Sequence, residues 1–281
     1  MKNIAVIGAG VMGSDVALNL ACYGYDVILK DIDTSILDKS KAKIVSDFRM
    51  LKMLKAEFKE ITAEELLSRI RFTEDYTDFG SVDMVIENVP EEWDVKQTVY
   101  QKLRAVCNPD ILFGVNTSCI SITKVASLLQ QPENVIGMHF MNPVPLKEMV
   151  ELIRGYHTTE ETIGKAKAFL KTIRKVSVVA YDMPGFIANR LSHLFMNEAA
   201  FLVQDKVGTP RDIDMLFRKG YGHAMGPLET ADLIGLDTVV NSLDILYTAY
   251  QDSKFRCCPL LRKMLDAGLK GKKSGEGFYR Y

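Results

Sequence analysis

Apolar and polar positions follow two different periods in the first half of the chain. Short, β-rich apolar runs occupy 3–8, 26–31, 83–87, 111–115, 135–140, 149–153 and 176–180, and longer amphipathic stretches separate most of the earlier ones. Strand-like runs alternating with helical ones predict an α/β fold, a mainly parallel sheet with helices on both faces. Thr158 with Glu161 predicts a capping box, and Ile163, Ala166, Leu170 and Ile173 share one face of the helix after it. Beyond Pro184-Gly185 the strand pattern stops, and 187–205 opens a series of helices. The boundary is therefore placed near Pro184, with an α/β domain over 1–183 and a smaller all-helical domain over 184–281.

The first strand runs into Gly8-Ala9-Gly10-Val11-Met12-Gly13, a helix follows, and the second strand ends at Asp31. Each part has a task in holding a dinucleotide. Gly8 makes the tight turn, Gly10 lets the backbone approach a pyrophosphate, and Gly13 lets helix and strand pack closely. The helix N-terminus offers free N–H groups and the positive end of its dipole. Asp31 accepts from an adenosine ribose and repels a 2′-phosphate, and Ile32 supplies no cation, so NAD is expected rather than NADP. Lys30 is the opposing consideration, unless its side chain points away along the strand.

Composition narrows the remaining classes. The chain has 281 residues, and 47% of them are hydrophobic, enough for a large core. A net charge of −1 gives no general attraction to nucleic acid or an anionic membrane surface. Lys2 and the apolar residues after it resemble the start of a secretion signal, but Asp15 interrupts the run, and no uninterrupted apolar stretch is long enough to span a membrane. The five cysteines, Cys22, Cys107, Cys119, Cys257 and Cys258, form neither a disulfide framework nor a metal spacing. No metal is expected, and a reducing, cytoplasmic compartment is.

A nicotinamide oxidoreductase needs a base for the hydroxyl proton. Of four histidines, His139 closes an apolar strand, the end at which open α/β sheets bind ligands. Glu151, on the next β-rich run, is placed to hold one imidazole nitrogen and leave the other to substrate. His157 reads as a surface-loop residue, His193 as helix packing and His223 as a structural loop residue. Cys119 reads as a small buried thiol, since no base is placed for it.

With these residues in view the chain resembles the 3-hydroxyacyl-CoA dehydrogenase family along essentially its whole length. The markers are Gly8 to Gly13, Asn116-Thr117-Ser118, His139 through Glu151, the 184–190 segment from Pro184 to Arg190, Met225-Gly226-Pro227-Leu228-Glu229 and the closing 271–279 segment. The resemblance implies a Rossmann-like domain followed by a helical domain that forms a homodimer. It implies His139 as base with Glu151 as its partner, and Ser118 and Asn189 as polar groups around the reacting hydroxyl. It also implies Asn142 as a residue shaping the substrate site. Glu91 and Lys96 correspond to residues beside the nicotinamide half, and Val11, Met12, Asn116 and Ser118 join Asp31 and the glycines in the cofactor set.

Two departures bear on the acyl carrier. Relatives that hold coenzyme A carry a serine and lysines on the helix after Asp31. Here the serine position falls on Asp47, and 53–57 reads Met-Leu-Lys-Ala-Glu, leaving Lys52, Lys55 and Lys59 as available cations. A carboxylate beside a phosphate is unfavourable. Met141 and Leu146-Lys147 resemble a branch found in polyketide extender-unit pathways, which oxidises hydroxymalonyl groups on an acyl carrier protein. Two enzyme readings follow: oxidation of a short hydroxyacyl group carried on CoA (hydroxybutyryl class), or of one carried on an acyl carrier protein. A third reading, an NAD-binding structural or regulatory protein, would require loss of the base or its partner, and both are present.

Overall fold

Eight strands form one sheet: β1 (Asn3–Ile7), β2 (Asp26–Lys30), β3 (Ile70–Thr73), β4 (Met84–Glu87), β5 (Leu112–Val115), β6 (Val135–Phe140), β7 (Met149–Arg154) and β8 (Val176–Tyr181). Their order in this computed structural model, which describes residues 1–281, is β3-β2-β1-β4-β5-β6-β7-β8. β4 and β5 are buried throughout and β1 in all but its first residue, the reason they read as apolar runs rather than alternating ones. From β1 the chain winds outward to β3, then returns to β4 beside β1 and winds the other way. With right-handed crossovers, this reversal puts helices on both faces and opens a crevice at the carboxyl ends of β1 and β4. All neighbours pair in parallel except β6 and β7.

The sheet belongs to a unit spanning Met1–Met183, with helices α1 (Val11–Cys22), α2 (Thr34–Leu54), α3 (Ala63–Ser68), α4 (Trp93–Val106), α5 (Ile122–Ala126) and α6 (Glu160–Thr172). α2 buries Leu37, Ser40, Ile44, Phe48 and Leu51, one face at helical spacing, and is capped by the Asp33 carboxylate, which accepts from Ser35 N at 2.6 Å. Two sequence expectations need correction here. β3 was not expected: it is a four-residue outer strand with only Ile70 buried, so it carries almost no periodic signal. The cap of α6 is Thr159, which accepts from Thr162 N at 3.2 Å, and not Thr158. Thr158 is drawn inward instead, its hydroxyl donating to Val135 O at 2.6 Å.

The second unit, Pro184–Tyr281, is helical: α7 (Ala188–Gln204), α8 (Pro210–Gly220), α9 (Pro227–Ile234), α10 (Leu236–Tyr250) and α11 (Pro259–Asp266). Met196, Ala200, Leu236, Val239, Leu243 and Leu261 form its core. Two buried carboxylates organise its end. Asp214 accepts from Leu228 N, Glu229 N and the Tyr279 hydroxyl, and Asp232 accepts from Phe278 N and Tyr279 N. No helix is long and apolar enough to cross a membrane.

Candidate active site

The turn between β1 and α1 is built around its glycines. Gly8 has φ of +88°, and a Cβ there would lie 2.6 Å from Asn88 O. A Cβ on Gly13 would lie 1.7 Å from Gly8 O, so helix and strand approach as closely as backbones can. Gly10 differs: a Cβ on it would meet no protein atom within 4 Å. The fold itself does not require glycine there, whereas a pyrophosphate lying against the backbone would. α1 receives no side-chain cap and has no acidic residue in its first turn. Its leading amides, at Val11, Met12 and Gly13, are thus left for an anion. These residues fit a dinucleotide.

Asp31 has a task beyond the one read from sequence. Its carboxylate accepts from Ala9 N at 2.5 Å and from Ile32 N at 2.7 Å, tying the end of β2 to the glycine turn. A carboxylate has lone pairs left for a ribose hydroxyl. Lys30 is buried with its ammonium 4.5 Å from the centre of the Tyr76 ring, and Ile32 is exposed, so no cation answers a 2′-phosphate. Asp31→Ala is expected to raise the Michaelis constant for NAD by about tenfold, the scale of a lost charge-assisted hydrogen bond. An unchanged constant in steady-state assays would remove Asp31 from the cofactor site.

The antiparallel pair β6–β7 sets up the second half of the site. In its register His139 lies directly opposite Glu151, which puts both side chains on one face as cross-strand neighbours. His139 Nδ1 is 3.1 Å from Glu151 Oε2, and both residues are buried. A carboxylate only accepts, so this contact places the ring hydrogen on Nδ1 and turns the Nε2 lone pair outward. Nε2 is 3.2 Å from Ser118 Oγ, whose hydroxyl donates to it. A hydroxyl, an imidazole and a carboxylate thus stand in line at the carboxyl ends of β5 and β6 and on β7.

The loop that carries Ser118 is held by Glu91. Glu91 Oε1 accepts from Ser118 N at 3.1 Å, Cys119 N at 2.9 Å and Ile120 N at 3.2 Å, and from the Thr117 hydroxyl. Behind it, Lys96 is wholly buried, its ammonium 2.8 Å from each Glu87 oxygen and 3.9 Å from Glu91. Lys96, expected beside the nicotinamide half of the cofactor, is thus held between these two carboxylates. Burial pushes the Glu87 carboxyl up, and Lys96 pulls it back down. Asn116 joins the strand ends: its amide donates to Asn88 Oδ1 at 2.7 Å, and its Oδ1 accepts from Phe140 N at 3.3 Å. Burial pushes the Cys119 thiol up to about 12, in keeping with a thiol that stays protonated near neutral pH.

Asn142 lies in the loop after β6 and lines a cavity of about 210 Å³ with residues of α1 and α2. Asp47 lines the same cavity, paired with Lys43, which also pairs with the buried Asp15. Lys52 donates to Ile61 O at 2.8 Å. Asn189 belongs to the second unit, on the first turn of α7, where its backbone carbonyl accepts from His193 Nδ1 at 2.9 Å. His193 is buried in that helix, and His223 stands among Phe195, Phe217 and Tyr221. Sequence reasoning missed Glu87 and the backbone-holding roles of Glu91 and Asp15. Only Asp15 left a signal, as an acid interrupting an apolar helix.

Comparison with known proteins follows the same division of the chain. Residues 3–183 match the NAD binding domain of 3-hydroxyacyl-CoA dehydrogenase, and residues 185–281 match its C-terminal domain. The chain is 42% identical over 277 residues to a Deinococcus radiodurans protein named probable 3-hydroxybutyryl-CoA dehydrogenase, covering 98% of this chain and 99% of that one. A Bradyrhizobium diazoefficiens protein named 3-hydroxybutyryl-CoA dehydrogenase is 41% identical over 285 residues, with 100% and 96% covered. The crystal structure of (S)-3-hydroxybutyryl-CoA dehydrogenase from Ralstonia eutropha superposes with a TM-score of 0.94 at 34% identity, covering 100% of this chain and 99% of that one.

Proposed function

The chain belongs to the 3-hydroxyacyl-CoA dehydrogenase family of NAD-dependent oxidoreductases, and from that premise we propose that it oxidises a short 3-hydroxyacyl thioester of the hydroxybutyryl class with His139 as general base. The observation that carries this reading is the line from Ser118 Oγ to His139 Nε2 and from His139 Nδ1 to Glu151. Nε2 takes the substrate hydroxyl proton, and Glu151 stabilises the imidazolium that forms. Ser118 hydrogen-bonds the oxygen as it changes from alcohol to ketone. NAD, when bound, supplies the hydride acceptor. The α1 amides and Asp31 hold its phosphates and ribose, while Glu91 and Asn116 shape the nicotinamide end. Asn142 and Asn189 are assigned to substrate binding. The test is NADH formation from 3-hydroxybutyryl-CoA: steady turnover is expected, and none from any hydroxyacyl thioester despite bound NADH would leave only a structural or regulatory role.

The carrier has a second reading, favoured by the charge around the cavity beside Asn142. Asp15 and Asp47 outnumber Lys43 there, and Lys52 is turned to Ile61 O. Such a wall suits the uncharged pantetheine portion of an acyl carrier protein's arm, which brings no nucleotide, better than a phosphorylated nucleotide, as in a hydroxymalonyl-carrier dehydrogenase of polyketide extender-unit biosynthesis. Side-by-side assays separate the two. Activity confined to the carrier-loaded substrate supports the second reading, and comparable activity on the free CoA ester removes it. The second unit exposes Leu191, Val207, Leu216 and Tyr221, which supports a homodimer; a monomer by analytical ultracentrifugation removes that assignment. Five free cysteines are in keeping with a reducing cytoplasmic setting.

A further inference from the structure

The loop between Phe140 and Met149 joins the strand of His139 to the strand of Glu151. At its middle Val144 is 1% exposed, and both polar groups of that residue are taken by buried ionisable side chains. Its N–H donates to Asp15 Oδ2 at 3.2 Å, and its carbonyl accepts from Lys175 Nζ at 2.5 Å. Lys175 also donates to Lys147 O at 2.8 Å, so its hydrogen-bond partners are both loop carbonyls. Asp15 is 3% and Lys175 4% exposed.

Most residues around Val144 are exposed, Asn142, Pro143, Leu146 and Lys147 among them. Water could serve a loop backbone there, yet two groups are desolvated to hold it. Burial pushes the Lys175 ammonium down to about 8, which leaves it mostly charged at neutral pH. Charge-assisted hydrogen bonds are roughly twice as strong as neutral ones. On its other oxygen Asp15 is paired with Lys43, and Lys43 with Asp47. The contacts therefore run unbroken from α2 through α1 and the loop to Lys175, next to β8. Beyond the grip, Asn142, Pro145 and Leu146 form one wall of the cavity that Leu18, Met50 and Leu54 help to close.

We propose that Asp15 and Lys175 are positioning residues, which by gripping Val144 from both sides hold the β6–β7 loop against α1 and fix the cavity wall for the arm of the thioester substrate. The inference rests on the dehydrogenase reading for its substrate, but the grip itself does not. Neither side chain meets the reacting atoms: Lys175 acts through the loop that carries Asn142, and Asp15 through that loop as well as by lining the cavity itself. A loosened wall leaves the α1 turn intact, so substrate handling suffers and cofactor binding does not.

The test uses the full chain and the variants Lys175→Met, Lys175→Arg and Asp15→Asn, with two readouts. Amide hydrogen exchange of 144–147 is measured without substrate, and kinetics with 3-hydroxybutyryl-CoA and the carrier-loaded ester. Lys175→Met is expected to speed exchange in this loop by about tenfold or more, the scale of a lost hydrogen bond. It is expected to lower kcat/KM for the thioester ten- to a hundredfold, the order of an ångström-scale misplacement, with NADH affinity within about twofold. Lys175→Arg restores part of both. Asp15→Asn, which keeps an acceptor but loses the charge, gives a smaller change in the same direction and carries the test if Lys175→Met does not fold. Unchanged loop exchange in both Lys175→Met and Asp15→Asn overturns the grip. Faster exchange with unchanged thioester kinetics overturns the positioning role. A wild-type chain inactive on every hydroxyacyl thioester overturns the proposed function instead, while the exchange readout still decides the grip.

Discussion

Replacing His139 by alanine is expected to lower turnover roughly a hundredfold or more, with NADH affinity nearly unchanged. The imidazole is placed by two contacts that fix its chemistry, Nδ1 to Glu151 at 3.1 Å and Nε2 to Ser118 Oγ at 3.2 Å. Alanine removes the imidazole from this line, and a serine hydroxyl alone is a poor proton acceptor near neutral pH. The glycine turn, α1 and Asp31 lie on other elements and make no use of the imidazole, so the cofactor should bind as before. Glu151→Gln sharpens the test. A carboxamide can turn its NH₂ toward Nδ1, which moves the ring hydrogen to Nε2 and leaves no lone pair for substrate. At least a tenfold loss of turnover is expected, smaller than that of the alanine variant. Stopped-flow NADH formation with both variants decides the matter: full turnover in His139→Ala would discard the base assignment, and in Glu151→Gln the pairing.

Lys96→Met is expected to be the most damaging single change to the stability of the first unit. Its ammonium bonds both oxygens of Glu87, and both side chains are wholly buried. Removing one partner of a buried ion pair typically costs about 3–5 kcal/mol, because the other charge remains without compensation. For a chain of this size that corresponds to a melting temperature lower by on the order of 10 °C. The sign of its pH dependence follows from Glu87. Burial already pushes this carboxyl up, and loss of Lys96 pushes it further. The folded variant then holds a proton that the unfolded chain has released, so its stability falls as pH rises from the ordinary carboxyl value through the raised one. The deficit against the wild type should be small in acid and grow toward neutral pH. Calorimetry at two pH values measures it. A deficit that does not change with pH means that the charge is not its cause. The double variant with Glu87→Met should recover most of the loss, since two apolar groups of similar volume leave nothing ionised behind.

Residue patterns that depend only on near neighbours were legible in the sequence. The glycine turn with its helix and Asp31, the apolar strands, the change to helices after Pro184 and a histidine at a strand end each follow from spacings of a few residues. Period and backbone conformation are local physics: two residues per strand repeat, 3.6 per helical turn, a positive φ at Gly8. The short outer strand β3 and the shift of the α6 cap from Thr158 to Thr159 lay beyond that reach. Four residues carry no period, and Thr158 is claimed by Val135 O from a distant strand.

The working geometry was decided by tertiary structure. His139 meets Glu151 because β6 and β7 alone pair antiparallel, in a register that sets them opposite one another. Glu91 reaches the loop of Ser118 because β4 and β5 are neighbours in the sheet, and Lys96 turns inward because Glu87 waits at the end of β4. Asp15 and Lys175, far apart in the chain, close on Val144 only when α1 and the β7–β8 edge are both in place. Strand order, register and buried charge pairing join residues by through-space distance, and no local period encodes that.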